Sequence, residues 1–455
     1  MRWTISAAVV ASIAWPGILT AATLHVPTDY PTIQGCIDAA VSGVDECVVA
    51  PGTYNETINF LGKAITLRGS GGRDVTTIDA SGIGGSVVTC VNGEGPDTVL
   101  EGFTIKGGTG TNLGGEISGG GMLNSGGSPT VINCTFSENT AHDRGGGMYN
   151  AKSSPTVTHC TFSRNSAGIG GGMYNVYYSN PNATNCTFTG NTADHSGGGM
   201  YNDYYCNPFA INCTFTGNIA SHFGGGMHNE YSSPMIKNCT FAGNAVQNLS
   251  DGGGAISNND YSGPIVTDCV LWGNRPDEFF IDTSLPIIRF SDVQGGLPAG
   301  AVDGGGNIDL DPMFVRAPDP GPDGMWDGVD DDYGDLRLQA GSPCINAGDP
   351  AFVPQPGETD LDGQARVLCG RVDMGAYEFG IGDYDCNQTV NLTDFAAWHE
   401  CMTGPQSPVA STPGSDRLFA IGNRQLAINC EAFNFDGDGD IDLEDFSEMQ
   451  RRIVP

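Results

Sequence analysis

The chain has 455 residues, 68 of them Gly, and its 52 Asp and Glu against 19 Lys and Arg give a formal net charge of −33. Nucleic acid and anionic membrane both require a positive partner, so this balance excludes them as ligands. Glycine in such excess without a G-x-y triplet excludes collagen and points to many tight turns.

The first residues read as a signal peptide over 1–22: Arg2 is positive, Ile5 to Leu19 is apolar, and Thr20-Ala21-Ala22 offers small residues for cleavage. The alternative is a buried N-terminal strand. A signal implies a secreted protein, extracellular or at the cell surface. No other stretch approaches the ~18 apolar residues of a membrane span, so no spanning segment is expected in the mature chain. Export also makes disulfides possible among the 15 Cys. Pro31 to Val41 reads as a short helix with Ile33 and Ile37 on one face, placed to cap an open solenoid end. Cys36 and Cys47 flank this segment.

The middle of the chain is a repeat. Asn133-Cys134-Thr135-Phe136 recurs around Cys160, Cys186, Cys213 and Cys239, with a degenerate copy at Cys269. Gly-Gly-Gly-Met recurs between them, ending at Met148, Met173, Met200 and Met227. Each ~26-residue unit holds three short strand-like segments ending in Asn, which tolerates the left-handed region and can turn the chain. The expected fold is all-β: a right-handed parallel β-helix, three short strands per coil and triangular in section, over 23–275. In such a solenoid each residue stacks on its copy one coil along, ~4.8 Å away. Cys and Phe, two apart, then share the interior. Parallel neighbours at that spacing fit disulfide geometry badly, so the Cys column is expected as buried thiols. Asn139, Asn165, Asn191, Asn218, Asn244 and Asn274 should form an amide ladder.

The Asn-Cys-Thr-Phe-Ser-x-Asn and Gly-Gly-Gly-Met motifs resemble the repeats of polymorphic outer-membrane proteins and related β-helix proteins. Tyr30 to Gln34, Val48 to Tyr54 and Ile65 to Gly69 resemble the N-terminal coils of pectin methylesterases and other carbohydrate-active β-helices. Residues 276–380 resemble the choice-of-anchor region that closes bacterial surface β-helices, on Asn307 to Pro312, Leu336 to Asp349 and Asp373 to Glu378. They are expected to form the last coils and a C-terminal cap, with Cys344 bonded to Cys369.

Residues 381–455 carry two EF-hand-like calcium loops on a small α-helical module. Asp383, Asp385, Asn387, Thr389, Asn391 and Asp394 place oxygens at loop positions 1, 3, 5, 7, 9 and 12. Asn434, Asp436, Asp438, Asp440, Asp442 and Asp445 do so again, with Gly439 at the sharp turn. Ca2+ is therefore the expected cofactor. Asp rather than Glu at position 12 resembles dockerin type I modules, which implies a cohesin-like protein partner. A third acidic stretch, Asp319 to Asp335, is either another calcium loop or a solvated turn.

Two surface features carry chemistry. Asp143, Asp194, His195 and His222 precede the Gly-Gly-Gly-Met strands and could form an acid–His cluster for general acid–base work or metal binding. Otherwise they are polar residues of a solvated loop. Tyr178, Tyr205, Tyr231 and Tyr261 each lie three before a Pro and should stack into a stripe suited to sugar or peptide. Otherwise they are a self-stacking structural ladder. No coil shows a charged constellation breaking the repeat. The leading reading is therefore a monomeric, non-catalytic binding or adhesion scaffold for carbohydrate or protein, with a calcium-dependent docking module. The alternative is a polysaccharide lyase or pectin-esterase-like enzyme on the same scaffold.

Overall fold

A computed structural model describes residues 20–248, 251–326, 330–380 and 388, together with an antiparallel pair of strands, Arg417–Ile421 with Arg424–Ile428. The solenoid consists of sheets of twelve, ten, nine and seven strands. Consecutive strands within each sheet come from successive coils and run parallel, apart from one antiparallel pair, Thr111–Leu113 with Glu116–Ser118. Strand pairing continues beyond residue 275, through Ile287–Arg289 to Val302–Asp303.

A representative coil contains Met148–Ala151, Thr156–Thr158, Thr161–Ser163 and Ser166–Ile169. The coil thus has four strands, not the three expected from the repeat. Thr161–Ser163 and Ser166–Ile169 are separated only by Arg164, at φ 53°, and the buried Asn165. A single left-handed residue redirects the chain without a recognisable turn composition, so two strands read as one segment. The equivalent single-residue bend between the second and third strands falls on Asn133, His159, Asn185, Asn212 and Asn238, with φ of 51–53°. Asn is among the few side chains that adopt this region readily.

Inside, like stacks on like. Phe136, Phe162, Phe188, Phe215 and Phe241 form a column with centroids 4.5–4.9 Å apart and planes within 4°. Met122, Met148, Met173, Met200 and Met227 form another, fully buried. Cys134, Cys160, Cys186, Cys213, Cys239 and Cys269 form a third, buried and unbonded, as the register argument required. Burial of each Phe contributes about 2–3 kcal/mol, and five repeats of it hold the coils together. The Gly-Gly-Gly-Met signature has a packing cause: a Cβ at Gly147 would lie 2.9 Å from the Phe162 ring.

Two amide ladders satisfy the bends. Asn191 Nδ2 donates to Phe162 O at 2.8 Å and to Asn218 Oδ1 at 2.9 Å, while its own Oδ1 accepts from Asn165. The same pattern runs from Asn139 to Asn274. A second ladder, not anticipated from sequence, links Asn124, Asn150, Asn175, Asn202, Asn229 and Asn258 at 2.8–2.9 Å.

The N-terminal helix is Ile33–Ala39. Thr32 caps it by accepting from Gly35 N, and Ile33, Cys36 and Ile37 are buried against the first coils. A Cys36–Cys47 disulfide ties the helix to the neighbouring strand.

Residues 312–326 and 330–379 run back along the side of the solenoid as a strap. Thr359 accepts from Asn185 and Asn212, Thr240 accepts from Ala376 N, and Asp268 accepts from Asp349 N. The strap is held internally by buried carboxylates taking backbone N–H groups. Asp373 accepts from Asn346 and Phe379, Asp360 from Gln364 and Glu378, and Glu378 pairs with the buried Arg366 at 3.0 Å. The expected Cys344–Cys369 bridge is not formed. Cys344 is a free thiol donating to Asp292 Oδ2, and Cys369 takes part in another disulfide. Cysteines that flank a loop in sequence need not face each other once the loop is threaded against a second surface.

Asn191→Ala removes an interior rung and leaves the Asn165 backbone N–H, which donates to Asn191 Oδ1, without its partner. A loss of about 2–4 kcal/mol is expected, read as a lowered urea midpoint. Peptide mapping after native treatment with Ellman reagent should find the six column thiols unmodified and all six reactive in denaturant; rapid native modification of them would contradict the inward column.

Candidate functional face

The Met-containing strands place Met and Asn inward and direct the residues between and after them outward. The resulting column is Tyr149, Tyr174, Tyr201 and His228, in direct register. Although outward-facing, these four are almost completely covered. Arg144, paired with Glu116 at 2.8 Å, lies 5.5 Å above the Tyr174 ring and closes one flank. Tyr149–Tyr174 and Tyr174–Tyr201 centroids are 5.6 and 5.3 Å apart, and Tyr201–His228 are 4.6 Å apart.

The turn leaving these strands forms the other flank, with two tyrosine columns. Tyr178 stacks on Tyr205 at 5.5 Å and 13°, and Tyr177 on Tyr204 at 5.5 Å. Tyr231 then sits 6.4 Å from Tyr204 and 6.5 Å from Tyr205. Tyr178, Tyr205 and Tyr261 are 67%, 55% and 78% exposed, whereas Tyr231 is only 37% exposed. Tyr177, Tyr178, Tyr204, Tyr205, Tyr231 and Tyr261 all have positive φ, between 48° and 64°. Tyr has no special affinity for that region, and each such residue costs about 1 kcal/mol or more. At the bend before the Cys the same conformation is met by Asn133, Asn185, Asn212 and Asn238 and once by His159, whereas in this turn six tyrosines adopt it. Tyr177 and Tyr204 escaped the sequence reading because only one residue per turn was aligned to the following Pro.

Two carboxylates stand between floor and rim. Ala151, Val176, Asp203, Glu230 and Asn259 follow the Met-x-Asn triplet in successive coils, so Asp203 and Glu230 are neighbours about 4.8 Å apart along the axis. Tyr174 Oη donates to Asp203 Oδ2 at 3.0 Å, and Tyr201 Oη donates to Glu230. Asp203 Oδ1 is buried without a partner. Burial, and then the charge of Glu230, push the Asp203 carboxyl up to about 6. Burial, with the nearby His195, pushes His228 down to about 3, so it is neutral. The repeat therefore does break into a charged constellation, contrary to expectation. The visible signal was the change from Ala and Val to Asp and Glu at one repeat position.

The acid–His candidates fall on the Arg144 side. His195 and His222 rings are 4.8 Å apart, and Phe223 links His222 to His228. The acid bound to His222 is Asp251, with Nδ1 and Oδ2 2.7 Å apart. Asp143 belongs to an earlier coil, where it accepts from Ile117 N at 2.6 Å and pairs with His142. These contacts hold its carboxyl below the usual range. His195 Nδ1 lies 2.8 Å from Ser196 Oγ, and Asp194 is exposed one residue before it. The four residues thus form a row on one flank, and only the two histidines meet.

Among the described residues no group of three or more His, Cys, Asp and Glu is gathered to hold a metal ion. All twelve expected calcium ligands, from Asp383 to Asp394 and from Asn434 to Asp445, lie outside the described residues, as does most of the expected signal peptide. In the third acidic stretch Asp332 pairs with Arg316 and Asp335 with Arg337.

Residues 52–215 match the family model described as a right handed beta helix region, which gives the solenoid its hand. No curated protein matches the chain. Among solved structures, pectate lyase Pel9A is similar at 16% identity and TM-score 0.39, covering 80% of this chain and 97% of that one. Pectin methylesterase from carrot is similar at 14% identity and TM-score 0.34, covering 67% and 91%. At these values the likeness carries no argument about activity.

A carboxyl raised from 3.8 to about 6 contributes its stability below pH 3.8 and loses it as pH rises through 6. Asp203→Asn keeps the Tyr174 hydrogen bond and removes the charge. It should raise thermal stability by about 1–3 kcal/mol at pH 8 and change little at pH 4. Equal effects at both pH values would refute the shared burial of charge at Asp203 and Glu230.

Proposed function

We propose that this chain is a secreted, extracellular β-helix whose tyrosine face binds an extended polysaccharide without cleaving it. The observation that carries this is the double column of exposed tyrosines held in a disfavoured backbone conformation. Because the rings stack on one another, they offer edges and hydroxyls rather than broad faces along most of the column. Hydroxyls repeated about every 4.8 Å along one line suit a polymer with its own short repeat better than a compact ligand. Tyrosine supplies such contact area at low entropic cost, with only two side-chain torsions to fix.

The acidic C-terminal loops are the proposed Ca2+ sites, and their dockerin-like pattern makes a cohesin-like protein the proposed docking partner. A second reading, a carbohydrate-active enzyme, is favoured by Asp203 and Glu230 beside the tyrosines. A carboxyl raised to about 6 beside a second acidic side chain is an arrangement that acid–base work can use.

Affinity electrophoresis through gels containing neutral and acidic polysaccharides tests both. Retardation of the intact protein is expected, lost in Tyr178→Ala/Tyr205→Ala and preserved in Asp203→Asn. If Tyr178→Ala/Tyr205→Ala is retarded like the parent, the tyrosines are a structural ladder. Release of products that stops in Asp203→Asn and Glu230→Gln would establish the enzymatic reading instead.

A further inference from the structure

A second recess lies on a different side of the solenoid. The outer surface of the Cys–Phe strands is a grid of hydroxyls, since Thr or Ser stands on both sides of Phe136, Phe162, Phe188 and Phe215. Over Thr187, Thr189, Thr214 and Thr216 the strap crosses this grid and forms one wall of an open recess of about 430 Å³. The crossing has a local cause in sequence. The left-handed residue after each strand is Glu138 and Arg164 in earlier coils, but Gly190, Gly217 and Gly243 here. A Cβ at Gly217 would meet the Tyr333 ring at 2.7 Å, and one at Gly243 would meet Trp326 at 2.9 Å. Trp326 and Tyr333, stacked at 5.4 Å and 14°, rest on this glycine strip and hold the strap there.

The lining is polar and largely unengaged. None of the four threonine hydroxyls makes a hydrogen bond to the described residues, and neither does the Tyr377 hydroxyl. Each is both donor and acceptor. Arg337 enters the wall already pinned, its Nε 2.9 Å from Asp335 Oδ1. Asp362 also lines the recess, so carboxylates outnumber the cation. Burial and these acids keep the Tyr377 phenol well above its ordinary range, so it remains a donor. With Asp335 and Asp362 beside an arginine that is already paired, the lining is unfavourable to anions. It matches a ligand whose own surface alternates donors and acceptors.

We propose that this recess is a binding site for a neutral saccharide, one or two sugar units long, held between the threonine grid and the strap. The site is separate from the tyrosine face and stands whether or not that face binds polysaccharide. Uronic acids are refused, because their carboxylate would meet Asp335 and Asp362 around an arginine that is already paired.

Saturation-transfer NMR and titration calorimetry on the full chain, with glucose, galactose, mannose, cellobiose and galacturonate as probes, test this. At least one neutral sugar should bind and galacturonate should not. Thr216→Val/Tyr377→Phe, which keeps shape and removes two hydroxyls, should weaken binding about tenfold. Thr189→Val is the milder companion if that pair disturbs the strap, and circular dichroism checks the fold of each. Tyr178→Ala/Tyr205→Ala should leave this affinity unchanged. Unaltered affinity in the hydroxyl variants, galacturonate binding as well as the neutral sugars, or no neutral sugar binding at all would each overturn the proposal.

Discussion

Parallel registry between successive coils is the constraint on which everything else in this protein depends. When a strand hydrogen-bonds to its own copy one turn along, every residue is placed on its counterpart about 4.8 Å away. A side chain is then tolerated only if it can stack on itself. Phe can, through offset parallel rings, and Asn can, because its amide donates to one neighbour while accepting from the other. The Asn ladders also tie in the backbone beside the bends, as where Asn191 donates to Phe162 O and accepts from Asn165 N. Charges cannot stack in this way inside, which is why the described interior columns are apolar, thiol or amide.

The same constraint gives the outer faces their character. Whatever points outward is repeated, so single substitutions become stripes. Tyr149, Tyr174 and Tyr201 make a covered aromatic floor, and Tyr178 with Tyr205 makes an exposed rim. Where the stripe changes chemistry, neighbours conflict. Asp203 and Glu230 occupy one column in adjacent coils, and the phenols of Tyr174 and Tyr201 soften the conflict by donating to them. The carboxyl of Asp203 is raised first by its burial and then by the repeat placing two acids in succession.

The strap follows other rules. It is anchored not by repetition but by individual groups: Thr359 on Asn185 and Asn212, Asp349 on Asp268, and a buried Arg366–Glu378 pair at its far end. By covering part of the hydroxyl grid it turns a flat surface into an open recess. A solenoid alone presents ridges and shallow troughs, and it takes a second, non-repeating segment to make a recess.

Most of the scaffold was legible in the residues themselves. The period of the Cys and Met motifs, the αL-tolerant Asn at the bends and the poor fit of parallel neighbours to disulfides led to a β-helix with a buried thiol column, because each is a local property that repetition amplifies. The fourth strand was not legible, since a single left-handed residue such as Arg164 leaves no compositional mark. Nor was the fate of Cys344, whose partner is Asp292 rather than Cys369. Pairings between distant segments depend on how the strap is laid on the solenoid, and no local pattern encodes that path. For the candidate sites the division is the same. Tyr178, Tyr205, Asp203 and Glu230 could be read from their repeat positions, as could Asp251, which meets His222 from the same position one coil along, whereas the recess beneath Tyr333 exists only because the strap folds back onto the solenoid.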